Sequence, residues 1–199
     1  MTVYRLKTPI LEKDIRKLDA NDTLYVSGTM VTARDQAHKR ALEFARAGKV
    51  LPINLEGLAV FHCGPVMKKQ DSTWTTVAAG PTTSTRMEVY ESDFIKHFRP
   101  RLIIGKGGMG EKTAETMAEY GAVYCAFTGG AAVVAAQAIK EVPAVHWLDL
   151  GMPEAMWVFE VLDFGPMVVS IDSHGKNVFM AVSEQVARNR VRILSEFEF

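Results

Sequence analysis

The stretch from Arg101 to Val142 constrains the fold more than any other part of the chain. It holds "RLIIG" (101–105), a glycine turn, "EKTAETMAEYG", "AVYCAFTGG" (122–130) and "AAVVAAQAIKEV". Short apolar runs that alternate with helical patterns predict β-α-β-α units. Such units lay strands in parallel and pack helices on the sheet. The last of these segments is apolar on most faces, so a buried helix is expected there.

The first half adds strands. "DTLYVSGTMVTA" (22–33) predicts a strand with a bulge or turn at Gly28, and "RDQAHKRALEFARAG" (34–48) a helix closed by Gly48. "GLAVFHCGPVMKK" (57–69) and "WTTVAAG" (74–80) predict paired strands joined by "QDS", followed by helix over roughly 84–98. "WVFEVLDFGPMVVSIDSHGKNVFMAV" predicts strands with "SHGK" as a hairpin turn, and the tail from Ser183 a polar amphipathic helix. The class is α/β with mixed β content. No repeat or low-complexity linker divides it, so a single domain over 1–199 is expected, with 183–199 as a C-terminal helical tail.

Lys plus Arg and Asp plus Glu each total 23, so no global field favours nucleic acid or a membrane surface. The longest apolar stretch is too short to span a bilayer. The N-terminus is charged, without a signal-peptide core. A cytoplasmic protein with reduced thiols is the expectation. The two cysteines, Cys63 and Cys125, sit far apart. They cannot hold a four-iron cluster or a Cys-rich zinc site alone. No metal site is expected on this chain.

Three loop-to-helix junctions carry cations. "IIGKGGMGEKT" contains G-x-G-x-x-G at Gly105, Gly107 and Gly110. A dinucleotide fingerprint also needs an acid at the end of the next strand, and that strand ends in Thr128 and glycines. Two readings remain: a backbone anion site at a helix N-terminus assisted by Lys106, or a tight turn. "AAGPTTSTRMEVYE" (78–91) places Thr82, Thr83, Ser84 and Thr85 ahead of Arg86. One hydroxyl would suffice as a helix cap. An arginine in a first turn opposes the helix dipole and needs an anion to offset it. "TARDQAHKR" places Arg34 and Asp35 at a third junction, with His38 four residues on and on the same face. Asp149 and Glu154 flank "LGMPEAMW" and suit either caps or partners of the basic groups. If Arg34, Arg86 and Lys106 converge, they form a pocket for a small dianion.

"GPTTSTRM", "IGKGGMG", "ARDQAHKR", "HCGP" and "LGMPEA" together resemble the β-type subunit, or C-terminal domain, of the iron–sulfur class I fumarases and L-tartrate dehydratases. The resemblance covers about Leu6 to Phe179. It implies a swivelling β/β/α domain, a mixed sheet or open barrel flanked by helices. It further implies a hydro-lyase β subunit, with fumarate hydratase favoured by "HCGP" and "FTGGAA" and L(+)-tartrate dehydratase as the alternative. A non-catalytic dicarboxylate-binding module is the alternative of another class. By the same resemblance Thr82 is the base, Arg34, Arg86, Lys106 and Thr83 bind substrate, and His38 and Asp35 stand behind them. A 4Fe-4S cluster is held by a partner α subunit, and the assembly is a homo-oligomer or heterotetramer. Thr85 departs from the family pattern, where a small residue is common. Half a site must expose a partner surface, for which Met109, Met152 and Met156 are candidates.

Overall fold

The computed structural model describes residues 1–196. In chain order the elements are β1 (Val3–Lys7), α1 (Glu12–Ile15), β2 (Thr23–Thr32), α2 (Asp35–Arg46), β3 (Ala59–Phe61), β4 (Val66–Gln70), β5 (Thr73–Ala78), α3 (Glu88–Phe98), β6 (Leu102–Gly105), α4 (Glu111–Tyr120), β7 (Val123–Ala126), α5 (Ala132–Ala138), β8 (Ile139–His146), β9 (Met156–Ile171) and α6 (Val178–Glu196). Seven strands form one mixed sheet in the order β1-β2-β3-β6-β7-β9-β8, and a further β2–β9 pairing closes five of them into a barrel. The strands β1, β2, β3, β6 and β7 run parallel, and β9 runs antiparallel to β2, β7 and β8. The mixed sheet flanked by helices expected of the α/β class is thus present, and it closes.

Both faces of the short parallel strands are buried, which is why they read as unbroken apolar runs. Ala59, Phe61, Leu102, Ile104, Val123 and Cys125 point into the barrel. The residues between them, Val60, Ile103 and Tyr124, point outward under the helices with Ala37, Phe94 and Met117. This period-two alternation fixes which side chains can meet above the site. Gly28 sits at a register shift of β2 with φ +96°, and a Cβ there would come within 2.6 Å of Thr8 Oγ1. The bulge expected at this glycine is therefore enforced by conformation and by space.

Several sequence expectations fail, each for a local reason. The run 57–69 splits at Gly64–Pro65: β3 joins the barrel, while β4 pairs only with β5 as a separate hairpin. The expected buried helix over 131–142 is a single seven-residue α5, after which Ile139 opens β8. Pro143 and β-branched Ile139, Val142 and Val145 favour pairing with β9 over helix. Nor is α5 buried, since Val133 and Val134 are 62% and 58% exposed. After "SHGK" the chain forms helix rather than strand, because Asn177 Oδ1 accepts from the amides of Phe179 and Met180 and so starts α6 at Val178. The helix expected from Ser183 thus begins five residues earlier, and 197–199 of the expected tail lie outside the described residues. Met109 and Met156 are buried at 3% and 0% exposure, and Met152 packs on the barrel core, so the expected methionine partner surface is absent. Among the described residues no helix is long and apolar enough to cross a membrane.

Candidate active site

Parallel strands end together. In register, β2, β3 and β6 deliver Arg34, His62 and Lys106 just beyond their carboxyl ends, where α/β sheets commonly bind ligands. The hydroxyl run lies across these ends. The Thr82 amide donates to the His62 carbonyl at 2.6 Å, the Lys106 amide to the Thr82 carbonyl at 3.3 Å, and the Ser84 amide to the Lys106 carbonyl at 2.9 Å. Thr83 pairs with Lys106 as an isolated parallel bridge, and Cys63 with Pro81 as an antiparallel one. Thr82 is half-buried, whereas Thr83, Arg86 and Lys106 are exposed.

Two of the three cations are already paired. Arg86 Nη2 donates to Asp35 Oδ2 at 2.7 Å, so Asp35 supplies the anion that an arginine in a first turn requires. Arg34 Nη2 lies 3.3 Å from Glu154 Oε1, and the other oxygen of Glu154 accepts from the Gln36 amide at 2.9 Å. Glu154 therefore serves as both a helix-terminus acceptor and a partner of Arg34. Asp149 instead binds Arg40 at 2.7 Å, which lowers its carboxyl pKa. Arg34 still keeps a buried Nε with no acceptor among the described residues. A Cβ at Gly64 would lie 2.5 Å from Arg34 Nη1, so glycine leaves room for the guanidinium. Lys106 pairs with no carboxylate among the described residues.

The glycine turn is built for close approach. A Cβ at Gly105 would collide with Ser84 Oγ, and one at Gly108 would meet the Phe179 ring at 2.7 Å. At the start of α4, the Gly110 amide donates to Glu88 Oε2 at 2.7 Å. An internal carboxylate thus occupies this helix terminus, and the anion reading of the turn reduces to Lys106 alone. Only Gly107, at φ +73°, needs glycine for conformation here.

None of the hydroxyls caps a helix. Neither the 3-10 turn Ser84–Met87 nor α3 has a side-chain cap. Ser84 points inward, with its Oγ 2.9 Å from His62 Nδ1 and 3.0 Å from the Tyr124 hydroxyl. Beneath it, Glu91 of α3 faces two imidazoles: His62 Nε2 at 3.0 Å and His38 Nε2 at 3.4 Å, all three residues fully buried. Burial pushes the Glu91 carboxyl up, but the two imidazoles outweigh it and hold the pKa down to about 2. Burial pushes the His62 pKa below its ordinary value. Taken singly, these directions give an ionised Glu91 and a neutral His62 near neutral pH, but the pull that holds Glu91 low comes from protonated imidazole, which burial disfavours at His62, so the two causes oppose each other.

Glu91, His62, Ser84 and Tyr124 were missed as site residues. One signal was available. Glu91 lies at helical spacing from Met87 and Phe94 on the buried stripe of α3, and His38 shares the buried stripe of α2 with Ala37 and Ala41. An ionisable residue on an apolar stripe calls for a partner.

A sequence model described as Fumarase C-terminus matches residues 2–182. The chain belongs to that family. It is similar to the L(+)-tartrate dehydratase subunit beta of Shigella sonnei, 42% identical over 191 residues that cover 96% of this chain and 94% of that one. A putative L(+)-tartrate dehydratase subunit beta of Methanocaldococcus jannaschii is 43% identical over 178 residues, 89% of this chain and 91% of the relative. A putative fumarate hydratase class I of Geobacillus stearothermophilus is 41% identical over 197 residues, 98% of this chain but only 36% of the relative. Family domains thus occur both as a near-complete chain and as one segment of a larger one. In this member the two cysteines are buried inside the barrel, and burial raises both thiol pKa values above the ordinary range. They do not fit as ligands of an iron–sulfur cluster, which requires accessible thiolates.

Proposed function

We propose that this chain is the β subunit of a hydro-lyase that adds water to, or removes it from, a four-carbon dicarboxylate. The observation that carries this is the meeting of Arg34, Arg86 and Lys106 junctions with the Thr82 loop at the carboxyl ends of parallel strands, in a chain of the Fumarase C-terminus family. Fumarate, hydrated reversibly to L-malate, is the first substrate. L(+)-tartrate is the second, favoured by the relatives matched over 94% and 91% of their own length, whose names are those of tartrate dehydratase β subunits. Identities of 42% and 41% to the tartrate- and fumarate-named relatives do not separate the two.

In this reading Thr82 Oγ takes the proton from the carbon next to a substrate carboxylate. That C–H is a very weak acid, and its loss loads further negative charge onto the carboxylate. Lys106 and Arg86 hold that group and stabilise the charge. They also favour the ionised form of the Thr82 hydroxyl. Arg34, with its unpartnered buried Nε, grips the other carboxylate. Substrate must compete with Asp35 for Arg86, and Asp35 also pre-orients that guanidinium. The 4Fe-4S cluster belongs to a cytoplasmic partner α subunit, joined to this chain in a homo-oligomeric or heterotetrameric assembly.

The test is co-purification with a cysteine-bearing α subunit, followed by assays on fumarate and on L-tartrate. Activity is expected in the complex and none in the isolated chain. Hydro-lyase activity of the chain alone would overturn the two-subunit reading. Tight dicarboxylate binding by the isolated chain, with no partner recovered and no turnover, would establish a binding module instead.

A further inference from the structure

A single buried carboxylate sits where the three basic junctions meet from below. Glu91 faces His38 Nε2, whose Nδ1 lies 2.8 Å from the carbonyl oxygen of Arg34. It also faces His62 Nε2, whose Nδ1 contacts Ser84 Oγ in the loop that carries Thr82 and Arg86. From Ser84 the chain of contacts continues to the Tyr124 hydroxyl, which lies 3.0 Å from the carbonyl oxygen of Gly107, next to Lys106. His62 also accepts the Thr82 amide on its own carbonyl. Four elements that are distant in sequence thus share one path of polar contacts, whose side chains His38, His62, Ser84, Glu91 and Tyr124 are shielded from water.

The proton positions follow from the partners. The Gly107 carbonyl is an acceptor only, so Tyr124 is the donor there. His62 Nδ1 accepts the Ser84 hydroxyl proton, which leaves the single Tyr124 proton shared between the Gly107 carbonyl and Ser84 Oγ, while Glu91 meets the Nε2 atoms of His62 and His38 as close polar contacts without hydrogen-bond geometry. In a low-dielectric interior the hydrogen-bonded stretch from His62 through Ser84 and Tyr124 is stiff, because a group left without its partner there is costly. The collision that any Cβ at Gly105 would make with Ser84 Oγ shows how closely the path is packed.

We propose that Glu91, with His62 and Tyr124, is the positioning network of this site: it sets the backbone beneath Arg34, Thr82 and Lys106 without touching substrate. The proposal rests on the hydro-lyase reading for its kinetic consequence but not for its structural one. Two of these residues, with His38, also have the chemistry of a metal site: the ligand atoms of His38, His62 and Glu91 lie within 4.8 Å of one another. Among the described residues no fourth protein ligand joins them in that cluster, and all three are fully buried.

Tyr124→Phe is the informative variant, since it keeps the ring and removes only the hydroxyl. In the isolated chain, amide hydrogen exchange at 82–86 and 106–107 should accelerate by roughly 3- to 10-fold, the effect of one lost hydrogen bond, with β3 and β6 unchanged. In the two-subunit complex, kcat should fall by a similar factor while KM stays within about two-fold. Glu91→Gln should act more strongly, with kcat down by about 10²-fold if the chain folds. Unchanged exchange and unchanged kcat in Tyr124→Phe would overturn the proposal. So would a stoichiometric divalent metal in the purified chain that disappears in Glu91→Gln, since the cluster would then be a metal centre. If the wild-type complex turns over neither substrate, the functional reading fails while the exchange measurement still decides the network.

Discussion

Two segments border the same end of the barrel and were built in opposite ways. The segment 81–98 follows a strand, a glycine and a proline, and sends Ser84 and Glu91 inward to His62, His38 and Tyr124. The segment 127–138 follows a strand, carries two glycines, and sends Val133 and Val134 outward into solvent. The residues that lead into the first segment touch the second: the Ala79 amide donates to the Ala132 carbonyl at 2.9 Å, and a Cβ at Gly80 would lie 3.1 Å from that of Ala132. One segment buries polar atoms and ties them down, Ser84 by hydrogen bonds to His62 and Tyr124 and Glu91 by its close contacts to two imidazoles, which makes it rigid. The other leaves apolar atoms in water, which marks a surface awaiting cover. A half-site needs both, a fixed set of groups for chemistry and an adaptable rim for the subunit that completes it.

The largest effect expected from this contrast is at the rigid segment. Thr82→Val in the two-subunit complex should lower kcat by about 10²–10⁴-fold, the usual worth of a general base, and largely preserve substrate affinity. Thr83→Val is the control, since Thr83, exposed and bridged through its backbone to Lys106, is expected to bind substrate but not to take the proton, so its loss should cost much less. If Thr83→Val abolishes turnover while Thr82→Val stays close to wild type, the base is misassigned by one residue. Next comes Gly105→Ala. The added methyl must displace Ser84, so the chain should lose about 1–3 kcal/mol of stability. A melting temperature equal to wild type would mean that the 81–98 segment is less fixed than its contacts imply.

Acid should separate the two segments further. Free of the fold, Glu91 would titrate near 4.5; in the folded chain it is held to about 2. A depressed carboxyl contributes stability above its unfolded pKa, and this is lost as pH falls from about 4.5 toward 2. The His62 shift acts in the same direction, since the unfolded chain takes up its proton first as pH falls through 6.5. Urea midpoints of the isolated chain should therefore drop on acidification, with a shallower drop below about 4.5 in Glu91→Gln. A wild-type midpoint that does not move with pH would contradict the buried ionised carboxylate.

The sequence was most legible where one period ruled. The parallel core and α2, α3 and α4 follow from apolar spacing, and the bulge at Gly28 from a lone glycine in a strand. It was least legible where neighbours decide. "AAVVAAQAIKEV" looks like a buried helix because small and branched apolar residues suit either a helix or a strand, and only β9 shows that Ile139 onward pairs as β8. At the candidate site, charge alone singled out Arg34, Arg86, Lys106 and Asp35 in the sequence. Glu91 was not: its place on the apolar stripe of α3 signals a need for a partner, but nothing local names His38 and His62, which arrive from α2 and the end of β3. Long-range partners have no signature in local spacing. Nor does the capture of the Gly110 amide by Glu88, which closes the helix terminus that the glycine pattern had marked for an anion.

The smallest effect expected is at the adaptable rim, and it tests the other half of the contrast. Val133 and Val134 lie on a seven-residue helix beside Gly80, with most of their side-chain surface in water. Replacing both with serine removes little burial from the isolated chain, so its stability should shift by no more than about 0.5 kcal/mol. Association should respond differently. Covering a half-exposed valine returns about half of the roughly 1.5–3 kcal/mol available to a fully buried one, and serine forfeits most of that. Two such losses should weaken the complex with the α subunit by about tenfold or more, most of it in the dissociation rate. Turnover at saturating α subunit should stay near that of the wild type, because the Thr82 loop and its buried network are untouched. If the double variant binds the α subunit as tightly as wild type, this rim is not the partner surface, and the exposed valines of α5 serve only to close the barrel end. If binding holds but kcat falls, the two segments are coupled through the Ala79–Ala132 hydrogen bond, and the division between a rigid site and an adaptable rim is wrong.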